Sequence, residues 1–237
     1  MTVLLVLCTL IVFLAIDHVV QKKRSQPAVV RKPLPATSRL LPFQLPSHLP
    51  EDVELATNHM WMRTNHDGTI TLGVDGFLSR LMGVVETISV PPAGETTIPS
   101  CADFSVGANG RSFRLATPVA GGVVEPNPDV LRDPSLILTD PYGKGWLVRL
   151  KSRVDDIAAS KQYVVRQPLE WLREQVALVR DLIAMKGMQG QSVILQEGGL
   201  PVDGVVQQLD ERTWEDFSQA FTALRSTKVP HHKETGQ

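Results

Sequence analysis

The chain has 237 residues, 43% of them apolar, and its 24 Lys and Arg nearly balance 25 Asp and Glu for a formal net charge of −1. Such a balance leaves no electrostatic footprint for nucleic acid, and the length fits one domain of ordinary size plus extensions. The two cysteines, Cys8 in an apolar run and Cys101 in a predicted sheet, are not placed to pair and fit a reducing compartment.

Residues 1–20 open on an uncharged apolar run, Met1 to Ile16, which Val19 and Val20 extend past Asp17 and His18 to roughly the 20 residues a bilayer core requires. The pattern predicts one transmembrane helix. A cleaved signal peptide is the alternative, but a basic segment ahead of the run is missing and no small-x-small site comes after it. Lys22, Lys23, Arg24, Arg31 and Lys32 all lie on the C-terminal side, so the bias of cations places the rest of the chain in the cytoplasm. Residues 21–50 continue with Pro27, Pro33, Pro35, Pro42, Pro46 and Pro50. These remove backbone donors and favour extended conformations, which reads as a semi-rigid spacer rather than a Pro-rich ligand.

Strand signals dominate residues 51–153. Trp61-Met-Arg63 and Thr69-Ile-Thr-Leu-Gly-Val74 alternate around a turn at Asn65-His-Asp-Gly68. Gly76 to Gly83 places Phe77, Leu78, Leu81 and Met82 on one face of a short helix that Gly83 stops, and Val84 to Val90 returns as a strand before Pro91. Phe104 to Val124 holds two strand-forming runs around Asn109-Gly110, the dipeptide that most readily supplies two positive-φ residues, so a β-hairpin is expected there. Mainly strands with few flanking helices point to a flattened β-barrel or sandwich.

Candidate chemistry is sparse. His59 and His66 lie near Asp67 in sequence, but His66 and Asp67 read as a turn, and His231-His232 sits in the polar tail of residues 227–237. Gly143-Lys-Gly145 lacks the length and ending of a phosphate loop, and no serine sits in a nucleophile motif. No catalytic set, metal site or cofactor is expected.

From Pro168 a helical stripe of Leu169, Leu172, Val176, Val179 and Ile183, widened by Trp171, Leu178, Leu182 and Met185, runs to Gly187 opposite a charged face. The stripe packs either on this chain's own barrel or on a partner. Asp210 before Glu211-Arg-Thr-Trp214 suits the cap of a further helix.

Five blocks together resemble the glycine cleavage system H protein, the lipoyl carrier: His59-Met-Trp-Met-Arg63, Gly68 to Val74, Leu81-Met-Gly83, Pro118 to Asn127, and Asp140-Pro-Tyr-Gly-Lys-Gly-Trp146 running into Leu147 to Lys151. They span about two-fifths of the chain. The resemblance implies the lipoyl-domain-like hammerhead fold, with His59 part of the family's His-x-Trp block. It also implies that Asp203 to Phe217 is the closing helical tail, 201–226, which makes 154–200 a helical insertion.

In the family a Glu-Ser-Val-Lys sequence occupies the hairpin tip, and its lysine, eight residues before the Pro-Val block, takes lipoic acid. Counting back from Pro118 places Gly110 at the lysine position and Gly107 at the acidic one. Glycine offers no amine for the amide bond, and the guanidinium of Arg111 is no substitute. Together with the apolar N-terminal run, the resemblance therefore implies a membrane-anchored scaffold or interaction subunit, not an enzyme. It would have protein partners, a bilayer contact through its anchor, and no nucleic acid or small-molecule substrate. The alternative is an H-type carrier in aminomethyl or lipoyl transfer. Asn109, Arg111, Trp171, Val176 and Val179 are the expected interaction surface.

Overall fold

The computed structural model describes residues 48–99, 101–187 and 203–227, of 183–187 the backbone alone, all within a compact unit of residues 37–237. The expected transmembrane segment and the basic part of the spacer lie outside the described residues, among which no helix is long and apolar enough to cross a membrane.

Among the described residues nine strands make two antiparallel sheets. The larger has the order β1 (Glu54–Leu55), β2 (Met60–Thr64), β3 (Thr69–Val74), β9 (Trp146–Lys151), β8 (Gly121–Pro126), β5 (Thr96–Thr97). The smaller joins β4 (Thr87–Ser89), β6 (Phe104–Ala108) and β7 (Arg111–Leu115). Strand β3 pairs with β2 on one side and β9 on the other, and its alternate residues Ile70, Leu72 and Val74 are buried at the centre of the larger sheet. Trp61 lies opposite Gly73 across the β2–β3 ladder, where a Cβ on Gly73 would stand 2.5 Å from the indole. Only glycine admits that ring. The indole N–H then donates to the Pro141 carbonyl at 3.1 Å, which ties the Asp140 to Trp146 block to β2.

Helix α1 (Gly76–Met82) begins where the Asp75 carboxylate accepts from the Leu78 N–H, and ends at Gly83 with φ 75°. The strand expected over Val84 to Val90 is shorter, only Thr87–Ser89 pairing with β6. Its start is spent leaving the helix cap, and Pro91 has no N–H to extend the ladder. Cys101, expected in the sheet, instead lies in the connection leading to β6. Short helices α2 (Pro128–Arg132) and α3 (Leu136–Thr139) link β8 to β9.

After β9 come α4 (Val154–Ser160), a 3-10 helix (Lys161–Tyr163) and α5 (Pro168–Gly187), whose bounds match the Pro and Gly signals. Leu172, Val176 and Val179 of α5 belong to the same buried core as the strands. A 3-10 helix (Val205–Gln208) and α6 (Glu211–Thr222) complete the described chain, and the Asp210 side chain caps α6 by accepting from the Thr213 N–H.

Candidate functional site

The hairpin has a two-residue tip. Ala108 pairs with Arg111, and Asn109 and Gly110 take φ of 52° and 79°, as a type I′ turn requires. No atom lies within 4 Å of a Cβ built on Gly110, so a side chain there would project into open space. Gly107 is different: its Cβ would stand 2.8 Å from both the Arg111 carbonyl and the Thr87 hydroxyl. The acidic position of the tip motif is thus closed to any larger residue in this backbone. A carboxylate nevertheless reaches the tip from another element, since the Asn109 N–H donates to Glu86 Oε2 at 2.9 Å.

Arg111, next to the tip, is committed to the C-terminal segment. Its Nη1 donates to the Val206 carbonyl at 2.5 Å, its Nη2 donates to the Leu209 carbonyl, and its guanidinium lies 5.5 Å over the Trp214 ring. Phe113 of the same strand packs against Trp214 and Phe217 of α6. The segment's other end is held where the Thr57 hydroxyl donates to the Arg225 carbonyl and accepts from the Arg225 N–H. At its start the Asp203 carboxylate meets Arg80 at 3.0 Å, and Gly204 lies against Gly83.

The expected interaction surface does not form one patch. Asn109 is exposed at the tip, Arg111 is half-buried under the C-terminal segment, and Trp171 is half-buried against the His59 ring at 4.6 Å. Val176 and Val179 are a correction. At 8% and 1% exposed they face the core, because the stripe of α5 packs on this chain's own fold.

Sequence reading missed a buried cluster around His59. His59 is fully buried in left-handed backbone at φ 64°, and its Nδ1 is 2.8 Å from Asp75 Oδ2. Its ring stacks on Phe77 and Phe221, while Nε2 has no hydrogen-bond partner among the described residues. His66, the other half of the considered metal pair, sits exposed in the β2–β3 turn. Nearby, Tyr142 accepts from the Gly76 N–H, and burial, reinforced by the Asp75 carboxylate, pushes its hydroxyl above the usual tyrosine range, so it stays protonated. The available signal was the spacing of Trp214, Phe217 and Phe221, which puts three aromatic rings on one face of α6.

The family model described as Glycine cleavage H-protein matches residues 53–169. The chain is 34% identical over 107 residues to the glycine cleavage system H protein of Pseudoalteromonas atlantica, covering 45% of this chain and 82% of that one. This chain belongs to the H-protein family. The H protein of Alteromonas mediterranea is 34% identical over 115 residues, covering 47% and 85%. Among solved structures, the crystal structure of a glycine cleavage system H protein from Mycobacterium marinum is 28% identical, with a TM-score of 0.41 and coverage of 44% and 86%. The family match includes α4 and its 3-10 helix, the first part of the expected insertion, and stops at residue 169. Asp203 to Phe217, read from sequence as the family's closing tail, lies beyond it.

Proposed function

We propose that this chain is a membrane-anchored H-protein-like domain without the lipoylation lysine, serving as a non-catalytic scaffold subunit of a membrane-associated complex. The observation that carries the reading is the hairpin tip. It keeps the two-residue turn and the open space in front of position 110, but glycine occupies the position that the resemblance assigns to the lipoyl lysine. A carrier arm needs an amine for its amide bond, and hydrogen supplies none. The apolar N-terminal run followed by cations supports an anchor that concentrates the domain at a bilayer, where docking to a co-anchored partner needs little intrinsic affinity.

The rival reading is a working carrier, and intact mass separates the two. After co-expression with a lipoyl ligase and lipoate, the native chain keeps its unmodified mass. Gly110→Lys alone restores an amine at an exposed tip and is expected to gain one lipoyl adduct. An adduct on the unmutated chain, at any residue, overturns the scaffold reading.

A further inference from the structure

Residues of α5 and α6 line a half-open cavity of about 500 Å³, all of whose lining except Thr57 comes from residues beyond the family match. Its apolar part includes Trp171, Leu178, Phe217 and Phe221, and its polar lining carries the carboxylates of Asp181 and Asp216 and the guanidinium of Arg225. The volume is that of a small-molecule site, and an apolar body with a few convergent polar groups is the usual build of one. The charges select the ligand. Among the described residues Asp181 pairs with its neighbour Arg180, at 3.4 Å with both side chains at least half exposed, a contact of little energetic weight. Asp216 has no ion-pair partner among the described residues, and Arg225 Nη2 is directed to the Ala220 carbonyl at 3.3 Å. Asp216 is therefore the lining carboxylate left to meet a cation, and the half-buried Trp171 is the lining ring with the most surface open to it.

We infer that this cavity binds a small organic ammonium ion with an aromatic or branched apolar body, the body against Trp171, Phe217 and Phe221 and the cation toward Asp216. The site is separate from the hairpin tip, so its test does not depend on the scaffold reading.

The full chain, labelled with 5-fluorotryptophan in nanodiscs of zwitterionic lipid, is titrated with phenethylammonium, 2-phenylethanol and 3-phenylpropionate. The Trp171 resonance is assigned by its loss in Trp171→Phe. The ammonium ion shifts that resonance saturably, at least about tenfold more tightly than the alcohol, and the carboxylate binds most weakly. Asp216→Asn, at an exposed position that leaves the buried Trp61 resonance in place, removes the advantage of the ammonium over the alcohol. Equal binding of the three probes, preference for the carboxylate, an unchanged advantage in Asp216→Asn, or no shift at Trp171 each overturns the assignment.

Discussion

Gly107 and Gly110 look alike in the sequence, three residues apart in one glycine-rich tip, and only their surroundings tell them apart. Gly110 needs its left-handed φ of 79° and nothing else, so a side chain there costs about 1–2 kcal/mol of backbone preference. Gly107 sits in strand β6 between β4 and β7, where a Cβ would stand 2.8 Å from a carbonyl oxygen and a hydroxyl oxygen. Restoring the family's acidic residue there should therefore damage the hairpin. Gly107→Glu is expected to lower the unfolding free energy in urea by about 3 kcal/mol or more, and Gly110→Lys by no more than about 2 kcal/mol. Equal losses would show that β6 can move aside. At this scale the sequence put glycine at the position that the resemblance assigns to the lipoyl lysine, but it did not give the reason Gly107 is fixed, because that reason is a neighbour on another strand. His59 was legible as part of a motif, while its left-handed backbone and its burial against Asp75, Trp171 and Phe221 depend on residues distant in the chain.

Local chemistry made the elements legible where it could act alone. The Asn-Gly turn, the Gly83 stop, the start of α5 at Pro168 and the Asp210 cap all appear where the residues place them. The pattern over Val84 to Val90 overstated its strand, since apolar β-branched residues describe a buried segment and only partners make it a strand. The stripe of α5 was readable, but not what it faces, and the structure turns Leu172, Val176 and Val179 into the core. Val179→Asp should therefore cost at least about 3 kcal/mol in chemical unfolding, whereas Leu178→Asp next to it, on a residue 54% exposed, should change stability by less than about 0.5 kcal/mol. Similar values for the two would mean that α5 is not seated as described.

For the whole molecule, the family blocks carried the fold from β1 to β9, and the match with H proteins supports that part of the reading. The C-terminal segment was less legible. It resembled a family tail, yet it lies outside the match and is held by Arg80, Arg111 and Thr57, contacts that no local pattern announces. The proposed anchor makes one prediction of topology. With Lys22, Lys23, Arg24, Arg31 and Lys32 on the C-terminal flank of residues 1–20, protease added to intact cells should spare the domain and digest it after the cells are opened. Digestion from outside would reverse the orientation and remove cytoplasmic partners from consideration.

The contact between Gly83 and Gly204 is directional. A methyl added to Gly204 would meet Gly83 Cα at 3.5 Å, an ordinary approach, whereas one added to Gly83 would overlap the Gly204 Cα outright. Helix α1 thus sets the terms of the joint. Position 204 has room for a methyl within the limits of its own φ of 77°, whereas any side chain at position 83 displaces the segment from its seat. The joint works as a one-sided lock, permissive on the C-terminal segment and closed on the helix that receives it.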